Sequence, residues 1–135
     1  MAKDQNMTAA QKLLHEYRPT IWRKSLLETV AVGGDNTLLA CDKQLRFTQE
    51  LVRLLRNSKF SGEKLYWIVY ASYMTEQQMG DTEEILSYIA HHYEHIPRRT
   101  FFRLRGRAIL MLDEILNEMT GKGDDKEVIA DEVAS

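Results

Sequence analysis

The chain has 135 residues, 44% of them hydrophobic and 28% charged, with a formal net charge of −2. This is the composition of one ordinary globular domain, or a small domain with a helical extension. It is long enough to bury roughly two thirds of its unfolded surface without a staple. The single Cys41 excludes an internal disulfide and fits a reducing cytosol; with no signal-peptide pattern and no apolar run of about 18 residues, membrane insertion is not expected.

Residues 1–7 are polar and read as a flexible start. Residues 8–58 read as N-terminal helices for support or association. Thr8 is placed to cap a first helix carrying Leu13, Leu14 and Tyr17. Pro19 then kinks that helix or opens a second, in which Ile21, Trp22, Leu26, Leu27 and Val30 recur at helical spacing. Gly33-Gly34-Asp35-Asn36 is the clearest break, with Asn36 or Thr37 as a cap. Residues 37–57 form a long amphipathic helix with Leu38, Cys41, Leu45, Val52 and Leu55 on one side. Trp22, Leu26, Leu45 and Val52 are expected in a core shared between these helices or across a homodimer interface.

Residues 61–120 read as the functional unit. After Asn57-Ser58-Lys59 and Gly62, residues 63–74 are apolar on almost every side, which suits a buried helix, although their β-branched and aromatic content also suits a strand. Asp81 followed by Glu84 has the form of a capping box, and Ile85, Leu86, Ile89 and Tyr93 form the inner face of the helix it opens. His95-Ile96-Pro97 breaks the chain again, with Pro97 suited to the first position of a last helix reaching about Met119. Residues 121–135 carry Asp124, Asp125, Glu127, Asp131 and Glu132 against Lys122 and Lys126, a net of −3 that leaves +1 for residues 1–120. This acidic tail is expected to be disordered.

The last helix holds the most informative pattern. Arg98, Arg99, Arg103, Arg105 and Arg107 crowd its N-terminal half, where the helix dipole already presents partial positive charge. Asp113, Glu114 and Glu118 sit in the half that favours cations. Charge placed against the dipole implies a use outside the helix, and a phosphate backbone is the natural one. At 100° per residue Phe101, Leu104, Ala108, Leu112, Ile115, Leu116 and Met119 face the core, while Arg99, Arg103 and Arg107 lie opposite at i, i+4, i+8. Gly106 borders that row and leaves room for another backbone. A short helix, a turn and a second helix with basic residues near its start make a helix-turn-helix in an all-α fold.

The segment from Arg99 to Ile109 resembles the recognition helix of the ArpU and RinA type of phage transcriptional regulators, and through them region four of bacterial sigma factors. Leu13-Leu14-His15-Glu16-Tyr17-Arg18 resembles the leading pattern of that family, and Tyr70-Ala71-Ser72-Tyr73 its segment before the helix-turn-helix. The likeness spans about residues 11–116. The turn His91–Pro97 departs from the family in being longer and free of glycine. The resemblance implies that Arg98, Arg99, Thr100 and Arg103 enter the major groove of double-stranded DNA, where arginine reads guanine and threonine meets a thymine methyl. Arg107 is then a phosphate contact, Lys64 a weaker one, and RNA polymerase a partner. Four to six basic side chains would meet phosphate. Phe102 either packs or touches a base, and Arg98 and Arg105 pair with acids if they serve structure only.

Other chemistry is thin. His91, His92 and His95 have the spacing of metal ligands, but histidines at a helix C-terminus also suit the dipole, and no metal or other cofactor is expected. No carboxylate pair, activated cysteine or phosphate-binding glycine loop points to an enzyme. The competing readings are a helical adaptor whose arginine row grips an acidic protein, and a small DNA-packaging subunit.

Overall fold

The computed structural model describes residues 7–30 and 35–121, and the fold is all-helical. The helices are α1 (Ala9–His15), α2 (Tyr17–Val30), α3 (Asp35–Arg53), α4 (Gly62–Val69), α5 (Thr82–His92) and α6 (Arg98–Leu116). A 3-10 turn, Leu54–Asn57, ends α3, and wide π turns, Tyr70–Met74 and Asn117–Gly121, end α4 and α6. No helix among the described residues is long and apolar enough to cross a membrane. The expected break at Gly33-Gly34, most of residues 1–7 and the acidic tail beyond Gly121 lie outside the described residues.

The local signals act as expected at several ends. Thr8 and Gln11 form a reciprocal capping box: Thr8 Oγ1 accepts the Gln11 N–H at 3.2 Å and Gln11 Oε1 accepts the Thr8 N–H at 2.9 Å. Asp81 Oδ1 accepts the Glu84 N–H at 3.0 Å, but the Glu84 carboxylate reaches one residue further out, to the Gly80 N–H. Residues 63–74 are helical rather than extended. Their all-round apolar character reflects burial: Leu65, Ile68, Val69 and Ala71 are fully enclosed.

The entry to α4 explains a glycine. Ser61 takes the left-handed conformation (φ 61°) to turn the chain, and Gly62 then passes close beneath the 3-10 turn. A Cβ at Gly62 would stand 2.7 Å from the carbonyl oxygens of both Leu55 and Arg56, so only glycine fits without a shift.

One core joins the two halves of the chain. Leu14, Tyr17, Leu45, Val52 and Leu55 from the N-terminal helices cluster with Leu65, Ile68, Ile89, Ile96, Phe101, Leu104, Ala108 and Leu112. Phe101 is wholly enclosed, and its burial alone is worth about 1.5–3 kcal/mol. Helix α6 packs against α1 and α4, while α5 rests mainly on the Tyr70–Met74 turn.

One expectation for the core is met in part and another needs correction. Leu45 and Val52 are buried within the chain, whereas Trp22 and Leu26 are exposed, so of the two places expected for them the core between the N-terminal helices does not hold them. The inner face of α2 is instead partly polar. Tyr17 and Thr20 are buried there, Gln49 of α3 donates to the Tyr17 hydroxyl at 2.8 Å, and Lys24 meets Asp42 across the hairpin at 2.8 Å. Trp22, Leu26 and Val30 therefore face away from α3, while Ile21 and Leu27 are half-buried and Ile21 packs on the core. In α6, Ile109 is buried and Met119 is 53% exposed. The π turn after Leu116 widens the helix, and this rotates Met119 off the line that carries Leu112 and Leu116 inward.

Candidate nucleic-acid interface

Helix α6 begins after Pro97, whose backbone is extended and supplies no side-chain cap. Its back is fixed by Phe101, Leu104, Ala108 and Leu112 in the core, which forces the residues between them outward. Arg99, Arg103 and Arg107 are all exposed on that outer face, and none has a carboxylate within 4.0 Å among the described residues. Elsewhere Lys24, Arg46, Arg53, Arg56, Lys64 and Arg98 each have a carboxylate partner, while Lys12, Arg23, Lys43 and Lys59 have none among the described residues. What sets Arg99, Arg103 and Arg107 apart is that they stand in one row on one helix face.

The other sequence-predicted residues divide. Thr100 is half-buried at the edge of the outer face. Arg98 is engaged: its guanidinium donates to Glu83 Oε2 at 2.6 Å and lies 5.5 Å from the Phe102 ring centre. Arg105 is half-buried with its guanidinium 5.3 Å from the rings of both Phe101 and Phe102. Phe102 is exposed at its rim, stands edge-on to Phe101 at 5.2 Å, and so is held by one ring and two cations. Lys64 pairs with Glu94 at 3.5 Å. A Cβ built on Gly106 meets nothing within 4 Å, so nothing inside the described chain requires glycine there.

Two participants escaped the sequence reading. Glu83 stands at the start of α5, and its pairing with Arg98 ties the N-terminal ends of α5 and α6 together. Leu110 is 63% exposed and lies on the arginine face, three residues beyond Arg107 and seven beyond Arg103. The same helical wheel that sets Arg103 outward sets Leu110 within about 20° of it. It is an exposed apolar group at the end of the basic row.

The turn between the helices is residues 93–97, anchored by buried Ile96. Burial raises the Tyr93 phenol above its ordinary range, with the carboxylates of Glu94 and Glu63 adding to the effect. Beside it His92 stacks on Tyr88 at 4.0 Å and directs Nδ1 to the Tyr88 carbonyl oxygen at 2.9 Å, while His91 stands edge-on to His92. The Tyr88 phenol is likewise raised, first by burial and then by Tyr70. No group of three or more His, Cys, Asp or Glu side chains among the described residues is arranged to hold a metal ion. Comparison with known proteins finds no matching family model, no similar curated protein and no similar solved structure.

Proposed function

We propose that this chain is a double-stranded-DNA-binding transcriptional regulator without catalytic activity, of the kind its resemblance to the ArpU and RinA regulators implies, working in the cytosol and reaching the duplex through the outer face of α6. The observation that carries this reading is the unpaired row Arg99, Arg103 and Arg107. Three guanidinium groups without internal partners, on a helix whose back is locked in the core, form a rigid cationic edge. Inserted into a major groove, Arg103 is placed to read a guanine edge with two hydrogen bonds, and Arg99 and Arg107 to meet phosphate or base on either side. Thr100 and Leu110 add methyl contacts along the same face. Arg98 serves the joint between α5 and α6 rather than the ligand, because Glu83 already neutralises it.

RNA polymerase is the partner that a regulator of this kind engages, and the helices on residues 8–58 are the surface left for it. The test is duplex binding by fluorescence anisotropy across a salt series. With Arg99 and Arg107 on phosphate, the slope of log affinity against log salt is expected to be roughly −2 per chain, and steeper if Arg103 also neutralises a phosphate. A flat response overturns the DNA reading and favours an adaptor that grips an acidic protein.

A further inference from the structure

We infer that a second copy of this chain docks on the outer face of α2, making the protein a two-fold homodimer through that helix. Trp22, Leu26 and Val30 stand at i, i+4, i+8, exposed by 67%, 45% and 59%. At 100° per residue they fall within about 80° of one another. They lie opposite the inner face that Tyr17, Thr20 and Lys24 present to α3. Helix α2 thus presents an exposed apolar row to the outside while part of its inner face is polar, which is not the pattern of a fully solvated surface helix.

The size of the row fits a protein partner. A whole tryptophan offers up to about 250 Å², so Trp22 contributes roughly 170 Å² and the three residues together on the order of 350 Å². Patches of about 300–600 Å² on a monomer are commonly interaction sites. A pairing that doubles this row buries roughly 700 Å² of apolar surface. With its polar flanks Arg23, Ser25 and Thr29 it enters the range of about 1,200 Å² in total at which stable dimers begin.

The row also suits itself. An uninterrupted i±4 ridge is the element that interdigitates when two helices cross. With the two-fold axis at Leu26, antiparallel α2 helices set Trp22 against Val30 of the partner subunit and Arg23 opposite the partner's Thr29. No like charges are brought face to face. A foreign partner would need an uncharged row of the same length; the chain already carries one. This contact uses a different helix from the arginine row, so it stands whether or not α6 binds DNA.

Sedimentation velocity of the full chain, with Leu26→Glu and Leu26→Cys variants, tests the inference. The parent chain is expected to sediment as a dimer at high micromolar concentration, and Leu26→Glu as a monomer with unchanged helical circular dichroism. Packed helices bring the two Leu26 Cα atoms to about 4–6 Å, which a disulfide spans. Leu26→Cys in a Cys41→Ser background is therefore expected to cross-link under mild oxidation, and this arm holds even if the glutamate variant fails to fold. A parent chain that remains monomeric overturns the pairing and leaves the row to a different protein. A dimer that Leu26→Glu leaves intact, or that Leu26→Cys does not cross-link, places the interface elsewhere and overturns it equally.

Discussion

Asp113 Oδ1 accepts the backbone N–H of Ala10 at 2.9 Å, a bond between residues 103 positions apart. An acid that sits badly for the dipole of its own helix α6 sits well for the dipole of α1, whose N-terminal end it meets. One of the three acids in the reversed charge pattern, Asp113, is therefore explained inside the fold. At the other end Arg98 has Glu83 and Arg105 has the Phe101 and Phe102 rings, while Arg99, Arg103 and Arg107 have no such internal account.

Asp113→Ala should remove a side-chain cap from α1 together with its favourable charge. The expected loss is about 1–2 kcal/mol, read as a lower midpoint in chemical denaturation. Asp113→Asn should lose less, because an amide oxygen can still accept from Ala10. Equal midpoints for the parent and the alanine variant would mean that α1 is held by Leu14 and Tyr17 alone.

On the outer face of α6 the arginines should separate by role. Arg103→Ala is expected to weaken binding at a preferred site by about 1–3 kcal/mol and to relax selection at one base pair. Arg107→Ala should weaken all duplexes alike and reduce the salt slope by about 1. Arg98→Ala should change affinity least, and Glu83→Gln should tighten binding modestly by releasing Arg98 from its 2.6 Å partner. Competition binding against randomised duplexes reads all four. A loss at Arg98 as large as that at Arg103 would return Arg98 to the groove.

The Lys24–Asp42 bridge across the α2–α3 hairpin sets a pH dependence of known sign. The hydrogen bond and charge of Lys24 hold the Asp42 carboxyl below its ordinary range, and Asp42 raises Lys24 above its own. Asp42 therefore contributes stability above its unfolded value of about 3.9, lost as pH falls through the lower folded value. Lys24 contributes below about 10.4, lost as pH rises through its higher folded value. Asp42→Asn should accordingly lower the melting temperature slightly through the neutral range, and the difference should vanish in acid and shrink in high salt. A difference that persists below about pH 2 would assign the effect to packing rather than charge.

What the sequence disclosed follows the range over which each interaction acts. Thr8, Asp81 and Pro97 mark helix ends through partners within four residues, and the core face of α6 follows from a period that Phe101, Leu104, Ala108 and Leu112 obey. Side-chain partners chosen across the fold left no such trace. Glu83 taking Arg98 and Asp113 taking Ala10 depend on which helices meet. The quoted segments around Arg18 and Ser72 are another case. The Arg18 guanidinium donates to the Thr75 carbonyl at 3.0 Å, to Thr75 Oγ1 at 2.9 Å and to the Ser72 carbonyl at 3.5 Å. Those bonds close the end of the Tyr70–Met74 turn, and burial there lowers the arginine's affinity for its proton. Two of the three segments that carried the family resemblance thus touch each other, a structural pairing that periodicity alone does not reveal. Trp22 and Leu26 left two readings open for a different reason: an apolar row announces burial without saying whether the cover is the same chain.

Gly106 and Gly62 should respond oppositely to alanine. At Gly62 the new Cβ would press on two backbone carbonyls at 2.7 Å, and a loss of about 1–3 kcal/mol is expected. At Gly106 the Cβ enters open space in mid-helix, and alanine should stabilise the fold by about 0.8–1.0 kcal/mol through helix propensity. If that gap admits a nucleic-acid backbone beside Arg103 and Arg107, Gly106→Ala should melt higher yet bind duplex DNA several-fold more weakly. Thermal denaturation and anisotropy on the same preparation separate the two effects. A variant that is more stable and binds as tightly as the parent would remove Gly106 from the interface and leave the arginine row to act without close backbone approach.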